Sequence, residues 1–173
     1  MTSPGSPASP PPIVDASVVV GFDGSPGAEQ AVRWAADEAA LRHADLEVVS
    51  CWSTPPAVTP AAVVMSAEVS NLLESGARRT VDNGARIARL RGHQIAVRRV
   101  VVEGPAGPSL VERSTGGTLL VVGRRGRSAA AELLLGSTSA YCVHHSQCPV
   151  AVVPTPVRNE QRRAPALEAA HGN

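Results

Sequence analysis

Short apolar runs recur along this chain, separated by stretches in which apolar residues return every three or four positions. The runs are SVVVGF at 17–22, LEVVSCW at 46–52, IAVRRVVV at 95–102, TLLVV at 118–122 and PVAVV at 149–153. Most lack the apolar-polar alternation of a half-exposed strand, so they read as strands covered on both faces. After the first run, Asp23-Gly24-Ser25-Pro26 forms a turn into a helix, with Ser25 as cap, Pro26 in its first position and Glu29 near the positive end of its dipole. Ala28, Ala31, Val32, Ala35 and Ala39 give that helix a face of small residues able to pack closely on a sheet.

Pro55, Pro56 and Pro60 predict an irregular loop over about 54–65. A longer helix is expected over about 66–91, with Val69, Leu73, Gly76, Thr80, Gly84, Ile87 and Leu90 or Arg91 near one stripe, and Gly92 ends it. Gly104-Pro105 closes the third strand and a short helix is expected over about 109–114. Gly116-Gly117 is a plain turn into the fourth strand, and a last helix covers about 137–145.

Strands alternating with helices predict an α/β fold, a doubly wound five-stranded parallel sheet with right-handed crossovers. Ligands of such sheets sit at the carboxyl ends of the strands, where strand order reverses. The first strand runs into Asp23 and the fourth into Gly123, so an order of 3-2-1-4-5 brings both into one crevice.

Composition adjusts this picture at its edges. Residues 1–14 are rich in Pro, Ser and Ala, and 155–173 in Pro, Arg and Ala, so both are expected to be disordered flanks of one domain over 15–154. The net charge of +1 argues against nucleic-acid or membrane-surface binding. No apolar run reaches membrane-spanning length, no secretory leader is evident, and three unpatterned cysteines fit a cytoplasmic setting. Every one of the 16 cationic residues is arginine, which removes lysine-dependent phosphoryl transfer and Schiff-base chemistry. Cys142, His144, His145 and Cys148 do not converge on a tetrahedral site at helical spacing, so no metal site is assigned.

The candidate chemistry concentrates in VVGRRGRSAAAELLLGSTS, 121–139. Gly123 and Gly126 allow a sharp turn and close backbone approach to a ligand. Arg127 and Ser128 follow, and Gly136, Ser137, Thr138 and Ser139 offer hydroxyls and the free N–H groups of a helix start, which together make an anion cradle. At least one of Arg124, Arg125 and Arg127 is placed to meet phosphate. Asp23 reads equally well as a helix cap or as a ligand group.

Gly123, two residues, Gly126, nine residues, then Gly136-Ser137 resembles the nucleotide motif of the universal stress protein family, and VVVGFDGS, Gly104-Pro105 and CPVAVV match that family too. The resemblance covers about 17–154 and implies a Rossmann-like domain that binds ATP or a related adenine nucleotide, with Mg²⁺ an optional companion, and that pairs as a homodimer through the strand at 149–153, opened by Pro149. It places Gly21 and Asp23 at the adenosine end and the backbone of Cys51 at the adenine edge. Gly123, Arg124, Gly126, Arg127 and Ser128 would line ribose and phosphates, and Gly136, Ser137, Thr138 and Ser139 would close the cradle. No catalytic residue is assigned, and a stress-response regulator that works by nucleotide-dependent conformation is expected. The alternatives are a cyclic AMP or AMP binder, or a slow ATPase.

Overall fold

The structure is a computed structural model that describes residues 16–54, 60–126 and 135–155, with backbone alone over 60–67. Its elements are β1 (Ser17–Gly21), α1 (Pro26–Leu41), β2 (Asp45–Trp52), α2 (Pro60–Arg89), β3 (Val97–Glu103), α3 (Ala106–Arg113), β4 (Leu119–Gly123), α4 (Ser137–His145) and β5 (Val150–Val153). The five strands form one parallel sheet in the order β3-β2-β1-β4-β5. The expected arm at 1–14 lies outside the described residues, as does the tail at 155–173 apart from Thr155.

The non-alternating strands are explained by two cores. Val18 and Val20 of β1 point into a core built with α1 and α2, while Val19 points into a second core with Leu110 of α3 and Cys142 of α4. Ala28, Ala31, Val32, Ala35 and Ala39 are buried, so α1 lies close against the sheet along the small-residue face expected of it. Burial and the neighbouring thiols Cys51 and Cys148 push the Cys142 thiol up to about 11, so it acts as an apolar core residue.

Two features of α2 correct the sequence reading. The helix begins at Pro60, six residues before the expected start, because proline's fixed φ and missing N–H suit a first turn. Of the expected loop, 55–59 lie outside the described residues. The buried stripe is also rotated: Ala77, Val81, Ala85 and Ala88 join Ile87 in the core, while Val69 and Leu90 are 37% and 69% exposed. Gly84 belongs to that face because a Cβ there would lie 2.7 Å from Phe22 and 2.8 Å from Val48. Gly92 ends the helix with φ +76°.

β2 hides one charge that its apolar neighbours mask. Glu47 is 8% exposed, and its Oε2 accepts from Arg113 Nε at 2.9 Å, tying the end of α3 to the sheet. The two edges of the sheet also differ. On β3, Arg98 pairs with Asp45 at 2.6 Å and Arg99 with Asp82 at 2.8 Å, so charged groups shield that edge. β5 is VAVV, half-buried, and carries no charge.

Candidate functional site

The local chemistry of three turns builds one crevice at the carboxyl ends of β1, β2 and β4. At the end of β1, Gly24 takes φ +82°, which turns the chain back so that Asp23 Oδ1 accepts from Ser25 N at 2.9 Å. Ser25 Oγ in turn accepts from Ala28 N at 3.3 Å and caps α1. Asp23 thus braces the cap residue Ser25 through its backbone N–H and also lines the crevice.

At the end of β4, the loop is held by backbone bonds. Arg124 N donates to the Val153 carbonyl at 2.8 Å, and the Arg124 carbonyl accepts from Gly136 N at 2.9 Å and from Ser139 Oγ at 3.1 Å. The 126-to-136 excursion thus starts and finishes beside the same carbonyl. α4 starts at Gly136, which offers no side-chain cap, and its first intrahelical bond runs from Ala140 N to Gly136 O at 2.9 Å. The N–H groups of Ser137, Thr138 and Ser139 consequently have no intrahelical acceptor and sit at the positive end of the helix dipole.

The β1–β2 register ends at Gly21 opposite Val49, whereas β2 stays paired with β3 as far as Trp52 opposite Glu103. Cys51 therefore runs past the end of β1 and lines the opening. Burial raises its thiol above the ordinary value, and a hydrogen bond with Ser109 opposes that shift.

The result is a cavity of about 270 Å³ between β1, β4 and the first turns of α1, α3 and α4. Gly21, Asp23, Cys51, Gly123, Gly126, Gly136, Ser137, Thr138 and Ser139 all line it, so nine expected positions come together. Ala106 and Leu110 of α3 give it an apolar wall that sequence reading passes over, because a short helix with ordinary packing residues carries no motif. Arg125 lines the cavity, while Arg124 is not among the lining residues and contributes through its backbone. Alternation along β4 sends successive side chains to opposite faces, but sequence alone does not say where the loop breaks that alternation. Arg127 and Ser128 lie outside the described residues.

The glycines divide by what surrounds them. A Cβ at Gly123 would lie 2.8 Å from Gly27 C and 3.0 Å from Ala28 N, so that glycine admits the backbone of α1. A Cβ at Gly126 would lie 2.8 Å from Asp23 Oδ2, so that glycine lets the loop rest on the carboxylate. At Gly136 the nearest described atom would be 3.5 Å away, an ordinary contact.

Together these features define a doubly wound α/β protein whose crevice lies at the point where strand order reverses, lined by an uncapped helix start, as in sheets that bind ligands there. The family model described as the Universal stress protein family matches residues 16–154. The chain belongs to the universal stress protein family.

The chain is 33% identical over 161 residues to the universal stress protein Rv2623 of Mycobacterium tuberculosis, covering 90% of this chain and 54% of that one. It thus spans about half the length of the curated relatives it matches. Among solved structures, the universal stress protein UspA from Lactobacillus plantarum shares the fold with a TM-score of 0.71 at 20% identity, covering 80% of this chain and 97% of that one. A universal stress protein in complex with cAMP is similar with a TM-score of 0.59 at 28% identity, covering 82% of this chain and 98% of that one.

Proposed function

We propose that this crevice binds an adenine nucleotide, with ATP as the reference ligand, and that occupancy is the signal a stress-response regulator passes to its partners. The observation that carries the reading is the convergence of the uncapped start of α4, the Gly126 backbone resting on Asp23 and the overhanging end of β2 on one cavity. The first suits phosphate, the second ribose hydroxyls, and the third an adenine edge beside the apolar wall of Ala106 and Leu110. The cAMP complex of the relative at 28% identity supports the same ligand class.

A dissociation constant near 1 µM corresponds to about 8 kcal/mol, which several charge-assisted hydrogen bonds of about 1.5–3 kcal/mol each can supply against the costs of association. Asp23 is the one acidic side chain among the described lining residues, so Mg²⁺ would enter on the phosphates of its nucleotide. Calorimetry on nucleotide-free protein with ATP, ADP, AMP and cyclic AMP tests the proposal. One site per chain is expected for at least one of them, and no heat with any of the four would refute it.

The uncharged β5 edge supports a second part of the proposal, pairing of two copies through that strand. Light scattering is expected to give twice the 17.8 kDa chain mass. A monomer at micromolar concentration would dispose of the idea.

A further inference from the structure

We infer that the ion pair of Glu47 and Arg113 is a latch that holds α3 against the sheet as the apolar wall of this crevice, so that two residues outside the cavity set its affinity for a nucleotide. The inference rests on the nucleotide reading above and adds to it the positioning residues that keep the base compartment in shape.

The spacing of residues shows how α3 lies. Ala106, Leu110 and Arg113 recur at i, i+4 and i+7, which puts them on one face of the helix. Glu47, Val49 and Cys51 alternate along β2, so they share the face of the sheet that α3 covers. The helix runs back down this row. Ser109 is hydrogen-bonded to Cys51 near the crevice, Leu110 and Val49 share the second core, and Arg113 Nε donates to Glu47 Oε2 at 2.9 Å. Ala106 and Leu110 are the α3 residues among the described lining of the cavity. The ion pair therefore sits at the far end of the helix from the ligand.

A helix this short depends on such a tie. α3 has eight residues, and glycines with positive φ flank it on both sides, Gly104 at +144° and Gly116 at +78°. About two turns of helix have little stability of their own, so tertiary contacts decide where it rests. Its N-cap, Pro105, supplies no side-chain hydrogen bond. The fit that results is close: a Cβ at Gly21 would lie 2.7 Å from Leu110 Cδ1, and one at Gly107 would lie 2.8 Å from Tyr141 Cγ. A small rotation of α3 thus shifts Leu110 against β1 and alters the compartment that Leu110 walls.

The latch can be released without unfolding the sheet. Glu47 is 8% exposed, and its Oε1 also lies 3.8 Å from Arg98 Nη1 of β3, whereas the Arg113 side chain is 45% exposed. Replacing Arg113 by glutamine leaves the buried carboxylate a cationic neighbour and leaves the new side chain in reach of water. The cost falls on the position of α3.

ATP is titrated into the full chain, Arg113→Gln, Glu47→Gln, the double variant and, as a control, Arg98→Gln, which meets Glu47 from the β3 side. Hydrogen exchange is followed in each with and without ATP. Arg113→Gln is expected to bind ATP about tenfold more weakly, because affinity falls with the fraction of molecules whose wall is in place. The same substitution should cost less than about threefold once Glu47 is glutamine, and Arg98→Gln should stay within about twofold of the unaltered chain. Amides of α3 should exchange faster in Arg113→Gln while β1 and β4 keep their protection, and saturating ATP should restore α3. Unchanged ATP affinity in Arg113→Gln, or an equal loss in both backgrounds, overturns the inference and leaves the nucleotide reading standing. Faster exchange spread evenly over α3, β1 and β4 does the same, since the pair would then support the whole fold. An unaltered chain that does not bind ATP overturns the inference, and the nucleotide reading falls with it if ADP, AMP and cyclic AMP also fail.

Discussion

Replacing Gly123 by valine is expected to cost the fold about 3 kcal/mol or more, a large share of the roughly 5–15 kcal/mol that holds a domain together. The new Cβ would stand 2.8 Å from Gly27 C, 2.9 Å from Gly27 O and 3.0 Å from Ala28 N, all of them backbone atoms. A flexible side chain could swing aside, but here relief requires α1 to move off the sheet. Ala28, Ala31, Val32, Ala35 and Ala39 along that helix are buried, so any such movement opens gaps beneath it. β4 is equally constrained, paired with β1 on one side and β5 on the other. Urea unfolding of Gly123→Ala and Gly123→Val should show graded loss, with valine the worse because its branches add to the clash. An unchanged midpoint for valine would mean that α1 does not sit where the structure puts it.

Gly136→Ala is expected to behave in the opposite way, keeping the unfolding midpoint while weakening ATP binding by about tenfold or more. Gly136 has φ −71° and ψ 160°, a conformation any residue adopts, and a Cβ added there would have its nearest described atom 3.5 Å away. The described fold therefore does not demand glycine at this position. A ligand does, if its phosphate approaches the N–H groups of Ser137, Thr138 and Ser139, because a methyl group at the cap position intrudes on the same space. Calorimetry and urea unfolding on one preparation separate the two effects. Full affinity in Gly136→Ala would remove the start of α4 from the binding surface, and a loss of stability equal to that of Gly123→Val would make both glycines structural.

Much of this architecture is legible because each strand of a doubly wound sheet needs two apolar faces, which leaves unbroken runs such as VVV and LLVV. The strand order follows from placing Asp23 and Gly123 in one crevice. What the sequence conceals has physical causes. The stripe of α2 is hard to read because its sheet-facing residues are largely alanine and glycine, whose small size is what lets the helix approach, yet whose hydrophobic signal is weak. Pro60 resembles a breaker although it opens the helix. Glu47 looks like one polar residue in a strand, and its ion pairs with Arg113 from the end of α3 and with Arg98 of β3 make its burial tolerable. At the site, Arg125 rather than Arg124 reaches the cavity wall, a choice made by the direction in which the backbone leaves β4.

The glycine motif also reveals less about itself than its spacing suggests. Gly123 is glycine for the sake of a helix, Gly126 for the sake of a carboxylate, and only Gly136 is spared a demand from the described neighbours. A pattern of three similar letters thus combines packing with recognition, and the two are distinguished by what a methyl group would touch.

The pairing of Val18 with Leu119 joins positions roughly a hundred residues apart in sequence. β1 is made early and waits at the centre of the sheet for a strand made late, and the crevice does not exist until that strand arrives. A chain that has formed only β1, β2 and β3 lacks the wall of the crevice that β4 and the start of α4 supply. Any ligand that binds the finished crevice would therefore favour the fully assembled sheet by mass action.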